Sequence, residues 1–198
     1  MTEIIHATDT STPHGLVFQA QMESLGWLIL THSQIDAAFS EFIGHFMVGR
    51  SELGMMETVF NGMPINAKVE ILKAFCRSNH GQPDGDFKGF GLALCEDIER
   101  VSFKRNIAAH GVPWKNPKGR EGLKLDSTAK WLHKNKERYV LFYDDLLAEV
   151  STARALLQLL EKLNAAWKRG IEKDEIEAER PMMEFVQDAK AIFEGRRG

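Results

Sequence analysis

Seven apolar positions in the last third of the chain, Leu146, Val150, Ala153, Leu157, Leu160, Leu163 and Trp167, recur about every 3.5 residues. That period fits one face of a helix laid against partner helices, and it excludes a strand, whose side chains alternate every two residues. A helix with such a stripe cannot bury it alone, so the rest of the chain has to supply partners. From Leu16 to Val48 a second stripe does so: Leu25, Leu28, Ile35, Phe39, Phe42 and Phe46 recur at steps of three and four. His32 falls on that stripe, where we read it as a hydrogen-bonded core histidine.

The remaining segments are shorter. Gly49 and Arg50-Ser51-Glu52 end the first helix, and Met55 to Phe60 has room for a short one. Pro64 suits a helix start, with Val69, Ile71, Leu72 and Phe75 following in Ala67–Cys76. Residues 78–91, punctuated by Gly81, Pro83, Gly85, Gly89 and Gly91, read as a loop. No strand precedes it and it lacks the order of a phosphate loop. A third long helix is expected from Leu92 to His110, with Gly111 as its C-cap and Pro113 beyond. The helical period then fails until Tyr143. Arg138 to Tyr143 has strand character, so a small hairpin is expected between Trp114 and Tyr143, with Asp144 capping the last helix and Gly170 closing it. The sum is an all-α fold: a four- to five-helix up-and-down bundle with a small β-hairpin insertion after the third main helix and a helical C-terminal tail. Residues 1–15 read as a flexible arm, 16–169 as the bundle and 170–198 as an acidic helical tail.

A chain of 198 residues with 43% hydrophobic and 27% charged residues suits one globular domain with appendages. The first fifteen residues lack the basic-then-apolar pattern of a secretory leader, and the apolar run Leu25–Leu30 is too short to span a bilayer. Cys76 and Cys95 give no disulfide framework and fit a reducing cytoplasm; no membrane partner is expected. The net charge of −3 argues against a general nucleic-acid binder. Its distribution says more. Residues 100–138 hold eleven Lys/Arg and three Asp/Glu, a local balance of +8, so the remainder carries −11. Such asymmetry suits an anionic partner, or a solvated basic hairpin with none.

Inside that window lies Arg105-Asn106-Ile107-Ala108-Ala109-His110-Gly111, at the expected end of the third helix. Asn106 and His110, four apart, share a helix face, and the long Arg105 side chain can curl back toward them. An arginine at this place can fork onto two phosphate oxygens, and a histidine can pass protons near neutral pH. Arg100, Lys104, Lys115, Lys118 and Arg120 would hold an RNA backbone nearby. Those groups suit RNA cleavage without a metal or other cofactor: a base takes the 2′-hydroxyl proton, the oxygen attacks its own phosphate, and an acid protonates the leaving 5′-oxygen. One histidine cannot be acid and base in the same step, so the chemistry asks for a homodimer that brings two copies together. The Arg-to-His spacing alone is expected about once by chance in a chain of this composition; Asn106, Ala109 and Gly111 make the match more specific.

The heptad resembles the R-N-x-x-A-H-G mark of the HEPN superfamily, helical-bundle proteins many of which are metal-independent ribonucleases. The first helix, with Gly26, Ser33, Ile35 and Asp36, is similar to the family's first helix, and the resemblance covers roughly residues 16–169. It implies a dimeric endoribonuclease with a toxin, defence or RNA-processing role, in which Arg105 and His110 are catalytic, Asn106 supports them and Asp36 orients. Such a protein can have an antitoxin or regulatory protein as partner. Other members have lost activity, which implies the alternative of a catalytically inactive RNA- or nucleotide-binding dimer. A purely structural reading also stands, in which Arg105 pairs with Asp36 inside the bundle and His110 only ends a helix.

Other constellations weigh less. Cys76, His80 and Cys95 lack the ligand spacing of a metal site and read as structural. Asp144-Asp145 reads as the acidic start of a helix. The acidic run Glu172–Glu179 is a solvated face, or a segment that folds over the basic window in imitation of RNA.

Overall fold

The structure, a computed structural model, describes residues 13–48, 58–77, 85–125 and 140–173. It is all-α with one small antiparallel sheet. In chain order the elements are α1 (Pro13–Val48), α2 (Ile65–Arg77), α3 (Gly85–His110), β1 (Val112–Lys115), β2 (Glu121–Lys124), β3 (Val140–Phe142), a single 3-10 turn (Tyr143–Asp145) and α4 (Leu146–Lys173). Residues 58–61 add one helical turn before α2; Met55 to Glu57 of the short helix expected there lie outside the described residues. So do residues 1–12 of the arm, 78–84 of the glycine loop, the segment 126–139, and the tail from Asp174, including most of the acidic run.

The chain divides into two compact units. The first takes the chain up to His32 together with Ser102–Ala153. Its buried residues include Leu25, Leu28 and Thr31 of α1, Ile107 of α3, Leu123, Val140 and Leu141 of the sheet, and Leu146, Val150 and Ala153 of α4. His32 is half-buried, with Nε2 3.0 Å from Ser102 Oγ, the hydrogen-bonded histidine the stripe implied. The second unit takes Ser33–Val101 and the chain from Arg154. It is a helical bundle whose buried side chains include Ile35, Phe39 and Phe42 of α1, Val69 and Leu72 of α2, Leu94 and Ile98 of α3, and Leu156, Leu160 and Leu163 of α4. Burying each such side chain stabilises by about 1.5–3 kcal/mol.

The second unit also buries a lysine completely. Lys68 Nζ donates to Asp36 Oδ1 at 2.6 Å and to Ser40 Oγ at 2.7 Å, and Ser40 Oγ donates to the Asp36 carbonyl at 2.8 Å. Charge and donors are matched inside the fold, as a buried ammonium requires. Cys76 and Cys95 are buried free thiols in the same unit, and Cys95 Sγ donates to the Val69 carbonyl. Burial raises both thiol pKa values, that of Cys95 to about 12.

Several boundaries differ from those read in the sequence. Helix α3 starts at Gly85, not Leu92, so Gly85, Gly89 and Gly91 are helical. Phe90, Leu94 and Ile98 are buried at four-residue steps, and that burial outweighs the roughly 1 kcal/mol each interior glycine costs. Helix α4 passes Gly170 and runs to Lys173. Along it Leu156 and Leu159 are buried while Leu157 is half-exposed, because a straight helix of period 3.6 drifts off a 3.5-residue seam.

The insertion is a three-stranded sheet in the order β1-β2-β3, both pairs antiparallel. The tight hairpin closes within 112–124, starting two residues before the expected span of Trp114 to Tyr143, at Asn116-Pro117-Lys118-Gly119. Gly119 N–H donates to the Asn116 carbonyl at 3.0 Å, Asn116 Oδ1 accepts from the Arg120 N–H at 2.8 Å, and Gly119 takes φ +84°. Proline second and glycine in the left-handed region are what such a turn requires.

Candidate functional site

The heptad Arg105–Gly111 occupies the last six residues of α3 and the residue after it. Ile107 is fully buried and fixes the helix rotation, so Asn106 and His110, on the shared face, are exposed. Arg105 does curl back: its Nη1 donates to Asn106 Oδ1 at 3.1 Å. Its Nε is shielded from solvent and has no hydrogen-bond partner among the described residues. Three of the four proposed site residues, Arg105, Asn106 and His110, thus lie on one helix end.

Gly111 follows the last residue of α3, where its C-cap is expected, but it does so without the left-handed conformation a capping glycine often takes. Gly119 is the glycine with positive φ among the described residues. The Gly111 N–H donates to the Ile107 carbonyl at 2.7 Å, one more helical bond. Its smallness serves packing: a Cβ there would stand 2.5 Å from the Ile107 carbonyl oxygen and 2.9 Å from Leu123 Cβ. Only glycine lets β2 come this close to the end of α3, so the chain turns from His110 directly into β1.

Asp36 has a different partner from the one the structural reading gave it. Its carboxylate holds Lys68, and Arg105 bonds Asn106 instead. Asp144 does not cap α4. The residue before the 3-10 turn is Phe142, which makes no side-chain cap, and Asp144 and Asp145 sit inside the turn. Both carboxylates bind Arg120, at 3.4 and 3.0 Å.

The proposed RNA-binding cations are mostly paired. Arg100 lies 3.6 Å from Asp97, Lys104 lies 3.3 Å from Glu149 and donates to the Val140 carbonyl, and Lys115 lies 3.0 Å from Glu121. Lys118, exposed at the hairpin tip, makes no ion pair among the described residues. Four cations of the basic stretch, Lys130, Lys134, Lys136 and Arg138, lie outside the described residues.

Sequence reasoning missed an aromatic row beside the site. Trp114, Gly122 and Phe142 are aligned across the three strands. A Cβ on Gly122 would meet the Leu141 carbonyl oxygen at 2.3 Å; without one, the Trp114 and Phe142 rings approach to 6.0 Å across the middle strand. Arg120 stacks over Phe142 at 4.0 Å and Lys124 lies 5.5 Å from the Trp114 ring centre. The signal was present in the aromatics flanking a glycine strand, but pairing Trp114 with Phe142 needs the register, which the sequence does not print.

Among the described residues, no three His, Cys, Asp or Glu side chains converge as a metal-holding group. No helix among them is long and apolar enough to cross a membrane. The chain matches no protein-family model, no curated protein and no solved structure.

Proposed function

We propose that this chain is a metal-independent endoribonuclease of HEPN type that works as a homodimer. The observation that supports it best is the coupling of Arg105 to Asn106 beside an exposed His110 on one helix end. In the absence of substrate the arginine is held by a neutral acceptor, a bond worth about 1 kcal/mol. A phosphate drawing the guanidinium outward replaces that bond with two charge-assisted ones and gives the unmatched Nε an acceptor. Asn106, released, is left to bond the substrate. His110 of one protomer takes the 2′-hydroxyl proton, the 2′-oxygen attacks the adjacent phosphorus, and protonated His110 of the second protomer donates to the departing 5′-oxygen. Arg105 holds the charge that builds on the pentacovalent phosphate. The products are a 2′,3′-cyclic phosphate and a free 5′-hydroxyl.

Arg120, Lys104, Lys115 and Arg100 serve this reading less than their charge suggested. Each would have to leave a carboxylate to meet RNA, so backbone contacts fall first to Lys118. The biological role follows the same proposal: a toxin, defence effector or RNA-processing enzyme, restrained by an antitoxin or regulatory protein. Asp36 keeps a part in it only through the fold, since its carboxylate is engaged by Lys68. Incubating the purified protein with RNA in EDTA tests the proposal. Cleavage that ends in cyclic phosphate and is lost in Arg105→Ala and in His110→Ala supports it. Salt-sensitive binding of RNA without any cleavage assigns the inactive RNA- or nucleotide-binding dimer instead.

A further inference from the structure

The first half of α1 is apolar on two opposite sides. Leu25, Leu28 and Thr31 are buried in the first unit. On the other side Phe18, Met22, Gly26 and Leu30 follow one another at four-residue steps, a single row along the helix surface. Phe18 is 43%, Met22 39% and Leu30 49% exposed, and nothing lies within 4 Å of where a Gly26 Cβ would stand. Trp27, 49% exposed, flanks the row. Side chains of this size, about half-exposed, offer on the order of 400 Å² of apolar surface, a patch large enough to mark an interaction site. Charge is missing as well. Of residues 13–32, Glu23 is the one Asp, Glu, Lys or Arg, in a chain that is 27% charged. A helix face left in water carries charges, whereas depletion of charge beside Phe, Met and Trp is the composition of an interface centre. A face without cations does not draw in RNA phosphate, and a helix lying on a membrane would carry Lys and Arg beside its apolar row.

The row matches itself. Two copies of α1 laid antiparallel about Gly26 set Met22 of each opposite Leu30 of the other, apolar against apolar. Glu23 falls opposite Ile29 and not opposite its own copy, so a two-fold pairing brings no like charges face to face. Two such faces together remove about 800 Å² of apolar surface from water, and with a polar rim the total approaches the roughly 1,000 Å² of a specific but weak interface. The same half of α1 is tied to α3 where His32 meets Ser102, one helical turn before Arg105, within the unit that carries the heptad.

We infer that two copies of this chain associate through α1, antiparallel about Gly26. The association supplies the second His110 that RNA cleavage requires, and that consequence alone rests on the ribonuclease reading. Analytical ultracentrifugation of the full-length protein from about 1 to 100 μM, without RNA, tests it. A concentration-dependent equilibrium between monomer and dimer is expected. Met22→Lys and Leu30→Glu, both at exposed positions, should each raise the dissociation constant about a hundredfold, because each places an unpaired charge in both halves of the interface. Mixed in equal amounts, the two variants should recover association: the new charges then face each other across one half, and Met22 meets Leu30 across the other. Recovery also requires both variants to be folded, so it separates a lost interface from a lost fold. A dimer that cuts no RNA supports this interface while removing the ribonuclease reading. The inference is overturned by a parent protein that stays monomeric up to about 100 μM, by single variants that associate as the parent does, or by a mixture that stays monomeric with its helical circular dichroism intact.

Discussion

Lys68 Nζ lies 2.6 Å from Asp36 Oδ1, the ammonium wholly buried and the carboxylate side chain about one-third exposed. The acid that the HEPN resemblance offers as an orienting residue is thus neutralising a core lysine. Asp36→Ala leaves that charge without a counterion and should cost on the order of 2 kcal/mol, less than a fully buried pair because water reaches Asp36. Lys68→Met, which removes the charge itself, should cost less than Asp36→Ala. Urea denaturation followed by circular dichroism measures both, and the reverse ranking would refute the account of this pair.

Two glycine-to-alanine changes should have opposite signs. At Gly111 the new methyl meets backbone and the Leu123 side chain, so the end of α3 must part from β2 at a cost of about 1–3 kcal/mol. At Gly26, in α1, nothing lies within 4 Å of the added Cβ, and the gain in helix propensity should stabilise by about 0.5–1 kcal/mol. Thermal unfolding of the two variants separates them, and a harmless Gly111→Ala would remove the packing reason given for that residue.

Burial holds the Cys95 thiol up to about 12, against an ordinary value of 9.0. The unfolded chain therefore gives up this proton first as pH rises. The resulting stability is fully present below pH 9.0 and declines through the interval up to the folded value, by on the order of 1 kcal/mol per pH unit. Urea midpoints at successive alkaline pH values should fall less steeply in Cys95→Ala than in the parent. Native Cys95 should also resist iodoacetamide at pH 8 until urea unfolds the chain.

If RNA meets the hairpin, Lys118 is the cation it meets at least cost. Lys118→Ala should weaken RNA binding several-fold and lower the salt slope by about one, while Lys115→Ala, whose ammonium is held by Glu121, should change less. Filter binding over a salt series reads both, and equal losses would show that the ion pair gives way to phosphate.

The fold class was legible because α1 and α4 carry long stripes, and a stripe that long has one structural solution. The start of α3 was not, because Gly85, Gly89 and Gly91 carry a breaker's signal that the burial of Phe90 overrides. The roles of Asp144 and Asp145 were hidden for another reason. Arg120, which binds them, lies more than twenty residues away in the chain, and only the sheet brings it near. Of the candidate site, the helix end and the Arg105–Asn106 contact were readable from local spacing. The pairing of the basic residues was not, since a count of charges carries no geometry.

The central claim is that Arg105 and His110 cut RNA without a metal. The most direct test is cleavage of a defined RNA by the full-length protein in EDTA, with the termini identified by mass spectrometry. The account predicts 2′,3′-cyclic phosphate and 5′-hydroxyl ends, with the rate falling at least about a hundredfold in each of Arg105→Ala and His110→Ala. Cleavage that survives both substitutions, or no cleavage of any RNA by the parent protein, would contradict it.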